Sequence, residues 1–177
     1  KMFVEALQVC ENTLQKSKYN HTIHYYRGIA KDSVKDYPAA LISYNKAIVI
    51  MKGVKPNDVK PQSKYKAYYV NLATVQVKLG TYADALKSYG IGLSLDEKDI
   101  AEPKHGRVYY LRSIAHFSLS DYNSAIGDLN KSLVINPKDK DAFMLRGKIY
   151  KTTSQFQSAI SDFTKVILED DNPNQLT

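Results

Sequence analysis

The five residues Tyr122-Asn123-Ser124-Ala125-Ile126 carry the pattern that decides the fold: an aromatic residue, two variable positions, alanine, and then leucine or isoleucine. The pattern occurs five times in the 177-residue chain, at residues 3–7, 37–41, 82–86, 122–126 and 156–160. Successive alanines of the pattern are 34, 45, 40 and 34 residues apart. Two spacings are identical, and the other two equal that length plus 11 and 6 residues. The sequence is therefore a tandem repeat with two insertions.

Each block begins an amphipathic helix, named helix B below. Apolar residues recur four and eight positions after the alanine, and these offsets share one helical face. A second helical segment, named helix A, precedes four of the blocks, at residues 21–34, 66–79, 106–119 and 140–153. Helix A carries a small residue at one fixed place, which is Gly28, Ala73, Ser113 or Gly147. We expect this small residue to face the alanine of helix B, because two antiparallel helices can then cross closely.

The periodicity predicts nine helices and no strand. The expected bounds are 2–17, 21–34, 37–52, 62–79, 82–95, 101–119, 122–135, 139–153 and 156–169. Short turns between helices A and B are predicted at residues 35–36, 80–81, 120–121 and 154–155. Asp36, Thr81 and Asp121 are the expected N-caps of the B helices that follow. Pro61 and Pro103 are expected in the first turns of their helices, with Asp99 as an N-cap.

The repeat resembles the tetratricopeptide repeat (TPR), whose consensus of about 34 residues runs Trp-x2-Leu-Gly-x2-Tyr, then Ala-x3-Phe, then Pro. The third repeat matches this consensus at Tyr109, Ser113, His116, Ala125, Leu129 and Pro137. The fourth repeat matches it at Phe143, Gly147, Tyr150, Ala159 and Phe163. An arginine replaces the consensus leucine at Arg27, Arg112 and Arg146. The resemblance implies an all-α fold, a right-handed superhelical solenoid of antiparallel helix pairs, and a role in binding other proteins.

The resemblance also implies that residues 1–177 form a single array. We predict a partial repeat at 1–20 with helix B alone, and full repeats at 21–54, 66–99, 106–139 and 140–173. Insertions are predicted at 55–65 and 100–105. Arrays of this kind need polar caps, and the pattern shows none, so we expect a fragment of a longer protein. The expected result at the ends is uncovered apolar side chains that favour self-association, namely Phe3, Leu7, Cys10, Val166 and Ile167.

In the TPR family, helix A lines a concave surface that binds peptides, and the resemblance carries this role over position by position. The implied peptide-groove residues are Tyr25, Tyr26, Ile29, Val70, Asn71, Thr74, Val77, Arg107, Tyr110, Leu111, Ile114, Phe117, Met144 and Lys148. Most are apolar, and an exposed apolar stripe is typical of a binding groove. Each of them could equally pack against a neighbouring helix. In its family role, Asn71 would bond the backbone of an extended peptide.

The sequence shows no recognisable catalytic, cofactor-binding or metal-binding constellation, so we expect neither an enzyme nor a bound cofactor. His21 and His24 lie three residues apart on a predicted helix, but no cysteine or carboxylate joins them as a further metal ligand. No apolar run approaches the roughly 18 residues that a transmembrane helix requires. Cys10 is the only cysteine, which favours a reducing intracellular location, expected to be the cytoplasm.

Three functional interpretations follow from these observations. The favoured one is a protein–protein interaction scaffold that binds a partner peptide or helix in the groove. The second is a structural array that stacks in a larger assembly through its ends or its inserted edges. The third is single-stranded nucleic-acid binding, since the net charge is +7 and the chain has 14 tyrosines. The tyrosines fall mostly on core positions and the groove lacks a lysine or arginine track, which argues against this third interpretation.

Overall fold

The computed structural model describes residues 2–53, 65–95 and 103–170, with the backbone alone at residues 103, 104, 169 and 170. These ranges contain nine α-helices and no β-strand. The helices are α1 (Met2–Lys16), α2 (His21–Ser33), α3 (Tyr37–Gly53), α4 (Lys66–Lys78), α5 (Tyr82–Ser94), α6 (Pro103–Ser118), α7 (Tyr122–Ile135), α8 (Lys140–Thr152) and α9 (Phe156–Asp170). The all-α prediction is confirmed. The predicted helix starts at residues 62 and 101, together with Pro61 and Asp99, lie outside the described residues.

The chain divides into two compact units, residues 1–98 and 99–177. In the first unit α2 packs against α3 and α4 against α5, while α1 contacts α2 and α3 contacts α4. In the second unit α6 packs against α7 and α8 against α9, and α7 contacts α8. Each helix A therefore pairs with the helix B that follows it, as the repeat pattern predicts. The boundaries of the individual repeats stay a prediction.

A left-handed residue closes helix A in every pair. Lys35, Gly80, Ser120 and Ser154 have φ angles of 61°, 76°, 60° and 60°. The N–H of the next residue then bonds back to a carbonyl of the last helical turn, for example from Asp36 to Lys31 at 2.9 Å. This is the usual way in which a helix ends on a left-handed residue. The structure confirms the four predicted turns, although glycine occupies only one of them.

Two of the three N-caps predicted for the B helices are confirmed. Asp36 accepts a hydrogen bond from the N–H of Ala39 at 3.3 Å, and Asp121 accepts one from Ser124 at 3.2 Å. The prediction for Thr81 was wrong, because its side chain makes no cap bond. Its hydroxyl instead donates to the carbonyl of Gln76 at 3.1 Å, and so it satisfies the end of α4 rather than the start of α5.

In two of the helix pairs, a glycine of helix A lies directly against an aromatic ring of helix B. A Cβ atom added to Gly28 would lie 2.5 Å from the ring of Tyr44, and one added to Gly147 would lie 2.6 Å from the ring of Phe163. Both aromatic residues stand four positions after the helix B alanine. The nearest neighbour of each glycine is therefore this ring rather than the alanine that we expected. The alanines are nevertheless buried, as close packing requires.

Two ion pairs with buried carboxylates join helix A to helix B in the second unit. Nε and Nη2 of Arg112 each lie 2.6 Å from Asp128, and the same two atoms of Arg146 each lie 2.7 Å from Asp162. The partners are 16 residues apart in both cases. Such bidentate pairs combine charge attraction with fixed geometry. The charged partner raises the pKa of both arginines.

The first unit lacks this ion pair. Ser43 stands 16 residues after Arg27, where the other two repeats have aspartate, and its hydroxyl bonds its own helix through the Ala39 carbonyl at 2.8 Å. Arg27 reaches only Glu11, at 3.9 Å, and among the described residues its Nε has no hydrogen-bond partner. The ion pair therefore depends on the aspartate of helix B, which α7 and α9 have and α3 lacks.

We predict that Gly28→Ala destabilises the protein, because the new methyl group would overlap the buried ring of Tyr44. Overpacking of this kind costs about 1–3 kcal/mol, partly offset by a gain of about 1 kcal/mol in helix propensity. Gly90→Ala is the control, since nothing lies within 4 Å of that position, and it should stabilise α5 by about 0.5–1 kcal/mol. Urea unfolding monitored by circular dichroism measures both. Equal effects of the two substitutions would contradict the close crossing.

We predict that Asp128→Ala lowers the free energy of unfolding by about 3–5 kcal/mol, because it leaves the partly buried guanidinium of Arg112 without its carboxylate. Ser43→Ala at the equivalent helix B position is the matched control and should cost about 1 kcal/mol or less, since that hydroxyl has no arginine partner. Thermal and urea unfolding of both variants provide the test. If Asp128→Ala lowers the free energy of unfolding by less than 1 kcal/mol, the ion pair does not stabilise the packing of α6 on α7.

Candidate partner-binding surfaces

The predicted groove residues of the first unit lie on α2 and α4, and most of them make contacts within the fold. Tyr25 stacks on Tyr68 with ring centroids 4.1 Å apart and planes 9° from parallel. The amide of Asn71 donates to the Tyr25 hydroxyl at 3.0 Å, and it also hydrogen-bonds Tyr44. The Thr74 hydroxyl lies 3.1 Å from that of Tyr89. The structure thus gives Tyr25, Asn71 and Thr74 a structural role within the first unit.

Burial raises the pKa of Tyr25 to about 12. Its hydroxyl is therefore protonated throughout the neutral range and can both accept the Asn71 amide and donate a hydrogen bond. Asn71, which the sequence assigned to a peptide backbone, has at least one donor committed to this tyrosine. Val70 and Val77, also on α4, are half-buried.

The predicted groove residues of the second unit lie on α6 and α8 and leave more surface open. Tyr110, Leu111, Ile114 and Phe117 are half-buried, whereas Met144 and Lys148 are exposed. Arg107 is exposed and lies with its guanidinium carbon 4.5 Å from the centroid of the Tyr110 ring, and it reaches Asp141 of α8 at 3.6 Å. We name these seven residues the α6–α8 surface. It combines apolar side chains with two cations at exposed positions.

Tyr26 and Ile29, the remaining predicted groove residues, lie in an apolar groove between α1 and α2. Its volume is about 460 Å³, and we name it the α1–α2 groove. Its lining is Phe3, Ala6, Val9, Cys10 and Thr13 from α1, with Ile23, Tyr26, Ile29 and Ala30 from α2. Phe3 is exposed and Leu7 half-buried, as expected, but Cys10 is buried and only its surroundings are open.

A second cavity of about 620 Å³ lies in the second unit and was not anticipated from the sequence. Its lining comes from three helices and one loop: Asn130, Leu133, Val134, Pro137, Phe143, Arg146, Lys165 and Leu168. The ammonium of Lys165 stands 4.8 Å from the centroid of the Phe143 ring, within the range of a cation–π contact. Asn130 accepts a hydrogen bond from Arg146 at 2.6 Å. This cavity lies beside the buried ion pair of α8 and α9.

The two histidines at the start of α2 have structural partners. Nδ1 of His21 lies 3.1 Å from the Tyr68 hydroxyl, and Nε2 of His24 lies 3.0 Å from the Lys18 carbonyl oxygen, which accepts its proton. In the part of the chain that the structure describes, no three His, Cys, Asp or Glu residues are grouped so that they could hold a metal ion. Nor does any described helix have the length and apolar character needed to cross a bilayer.

The family comparison agrees with the helical pattern. Residues 141–173 match the family model of the tetratricopeptide repeat. Residues 141–173 are a tetratricopeptide repeat. No curated protein matches the sequence of this chain.

Three solved structures illustrate this similarity. MamA 41-end from Desulfovibrio magneticus RS-1 is 21% identical, with a TM-score of 0.80 over 97% of this chain and 88% of that one. YrrB, described as a TPR protein with an unusual peptide-binding site, is 19% identical, with a TM-score of 0.76 over 97% and 80%. The TPR domain of Arabidopsis OM64 is 22% identical, with a TM-score of 0.60 over 75% and 96%. At these identities the comparison shows a shared TPR fold.

We predict that His24 makes the stability of the protein fall between pH 7 and pH 5.5. Burial, opposed by the Lys18 carbonyl and reinforced by Lys46 and Arg27, lowers the pKa of His24 below its ordinary value of 6.5. Neutral His24 makes its full contribution to the free energy of unfolding above pH 6.5, the ordinary pKa that applies to the unfolded chain. This contribution is lost as the pH falls from there through the lowered pKa of the folded protein, because the unfolded chain binds the proton more readily. Urea unfolding at several pH values measures this slope.

His24→Phe is the informative variant, because the equivalent positions of the other repeats hold Tyr69, Tyr109 and Phe143. This substitution should reduce the pH dependence of the free energy of unfolding between pH 7 and pH 5.5 and leave the helicity unchanged. An unchanged slope would show that another group is responsible.

Proposed function

We propose that this protein is an interaction scaffold that holds a peptide or helix of a partner protein against its A helices. The α6–α8 surface carries the proposal, because Tyr110, Ile114 and Phe117 of α6 are incompletely covered and Met144 of α8 is exposed. Arg107 of α6 reaches α8 at Asp141, so the two helices contribute to one surface. Apolar surface that keeps a few polar groups at its edge is typical of peptide recognition. Arg107 and Lys148 supply the polar groups and would favour a partner with acidic residues beside its apolar ones.

The related fold supports this proposal. YrrB is described as having a peptide-binding site, and TPR folds generally bind proteins. The residues that the proposal assigns to recognition are those of the predicted groove in the second unit. In the first unit we assign recognition to the more exposed Tyr26 and to Val70 and Val77, with Asn71 acting mainly as a bridge between tyrosines.

A stacking array is the second candidate, because α9 carries an apolar stripe at helical spacing. Phe156, Ile160, Ile167 and Leu168 are all exposed, and contiguous exposed apolar surface commonly marks an association site. In this case the chain would join a larger assembly or a second copy through α9. We propose no catalytic role, and we place the protein inside the cell, consistent with its single unpaired cysteine.

Site-specific photocrosslinking in the native cell tests the scaffold proposal. A benzoylphenylalanine at Met144 should crosslink a discrete partner protein, because this position stands on the α6–α8 surface. The same residue at Val134, an exposed apolar position of α7 in the same unit, is the control and should not give that product. Gel shift and mass spectrometry identify the adduct.

The crosslinked partner also allows a quantitative test. Tyr110→Ala combined with Met144→Ala should weaken its binding at least tenfold, about 1.4 kcal/mol, with unchanged helicity. A crosslink at Val134 and none at Met144 would reject the α6–α8 surface. A crosslink from benzoylphenylalanine in place of Ile160 of α9, with none at Met144, would also favour the stacking array.

A further inference from the structure

The cavity of about 620 Å³ in the second unit lies between the two B helices α7 and α9, and α8 also contributes to its lining. We name it the α7–α9 cavity. Leu133 of α7 and Phe143 of α8 are its buried apolar residues, whereas Val134 and Leu168 are exposed and stand at its rim. Its volume lies within the range of about 300–1,000 Å³ that is usual for small-molecule sites.

The face of α9 that lines this cavity is not the face on which another helix of the array would pack. Helix α7 contacts α8 through Asn130 and Leu133. The equivalent residues of α9, five and eight positions after its alanine, are Thr164 and Ile167. The cavity is lined instead by the residue that follows each of these, about 100° further around the helix. A helix stacked on α9 as α8 is stacked on α7 would therefore meet a different face of α9.

The cavity has a net charge of one positive unit from its described side chains. Asp162 binds Arg146 through both of its oxygens, so this pair is neutral overall. Lys165 is exposed, and its ammonium stands 4.8 Å from the centroid of the Phe143 ring. The side chains that the structure describes place no carboxylate against this ammonium. Charge complementarity therefore favours a ligand with a single negative charge.

The first unit has an equivalent site between α3, α4 and α5 without these two cations. The residues at the positions of Arg146 and Lys165 are Leu72 and Ile91. A lysine still stands near the equivalent aromatic ring, but it is Lys52 in the last turn of α3. Packing of the helix pairs therefore does not require two cations at this place. Their occurrence together in the α7–α9 cavity needs a reason other than the fold.

We propose that the α7–α9 cavity binds a small amphipathic carboxylic acid, an organic molecule with one carboxylate on an aliphatic chain. The ammonium of Lys165 and the amide N–H groups of Asn130 would bind the carboxylate, since the amide oxygen of Asn130 already accepts a hydrogen bond from Arg146. The aliphatic chain would lie against Leu133 and Phe143. Burial of this chain drives binding, and the charge sets its orientation. The proposal does not depend on the α6–α8 surface.

The probe is octanoate, titrated into the full chain with carbon-13-labelled valine and leucine methyl groups and followed by NMR. The methyl signals of Val134 and Leu168 should shift along one saturable curve, because both residues line the cavity. Val49, the exposed residue of α3 that is equivalent to Val134, is the internal control and should not shift. The neutral 1-octanol should bind at least fivefold more weakly than octanoate, and octylammonium at least tenfold more weakly, because Lys165 attracts only the anion.

One pair of variants tests recognition of the carboxylate. Lys165→Met removes the charge but keeps an apolar contact with the Phe143 ring, so octanoate should bind at least fivefold more weakly while 1-octanol binds as before. Lys131→Met is the matched control and should change neither affinity. Lys131 occupies the equivalent position of α7 and stands 5.4 Å from the centroid of the Tyr109 ring, but it does not line the cavity.

A second pair of variants tests the apolar wall. Leu168 and Ile167 are neighbours on α9 with exposed fractions of 64% and 59%, but only Leu168 lines the cavity. Leu168→Ser should weaken both octanoate and 1-octanol at least threefold, because both chains lose the same apolar contact. Ile167→Ser should leave both affinities unchanged. Circular dichroism and melting should be the same for all four variants, because each replaced side chain is exposed.

Several outcomes would overturn the proposal. Absence of saturable octanoate binding to the unmodified chain rejects the site. Equal affinities for octanoate and 1-octanol, or an equal loss in Lys165→Met and Lys131→Met, reject recognition of the carboxylate. Shifts at Val49 that match those at Val134 would mean that octanoate binds exposed apolar surface in general, and the cavity would again be rejected. The Met144 crosslink does not affect these measurements, and the two proposals can therefore fail separately.

Discussion

The contact on which the rest of the structure depends is the crossing of an aromatic ring over a glycine. Without a Cβ at Gly28, the ring of Tyr44 can lie directly against the backbone of α2, and Phe163 does the same against Gly147 of α8. Helices this close can be joined by a short left-handed turn, and their alanines become fully buried. The crossing also fixes which face of each helix A points away from its partner. Close packing between the paired helices thus determines which side chains are left to contact other molecules.

The polar side-chain contacts between helices differ in the two units. The second unit ties its helices together with bidentate arginine–aspartate pairs, whereas the first unit uses a network of tyrosines around Asn71. An ion pair of this kind holds its geometry only if both partners are present. A tyrosine network is more tolerant, since each hydroxyl can donate or accept. The arginine–aspartate pairs join helix A to helix B within one pair, whereas the bonds of Asn71 join α4 to the preceding pair, α2 and α3.

The helices were predictable because their signal is local and repeated, whereas most of the side-chain partners were not. The spacing of the alanines located every pair, and the small residues of helix A marked each crossing. Thr81 fits the pattern of an N-cap equally well in the sequence, but its hydroxyl had a competing carbonyl within reach at Gln76. The roles of Asp128 and Asp162 depend on a separation of 16 residues between helices, which lies outside any helical period. The recurrence of aspartate at that distance from Arg112 and Arg146 was the available signal. The peptide role of Asn71 stays a prediction, and the sequence does not reveal that its amide also donates to Tyr25.

The left-handed turns have a consequence for how such a sequence can change over time. Lys35, Ser120 and Ser154 adopt a conformation in which a side chain costs about 1–2 kcal/mol and glycine almost nothing. These turns are thus held in place by the helix crossings, and their own residues are far from optimal. A fold whose turns are held by its helix crossings does not need glycine at every turn. Structures with the same overall fold can therefore be only 19–22% identical to this chain.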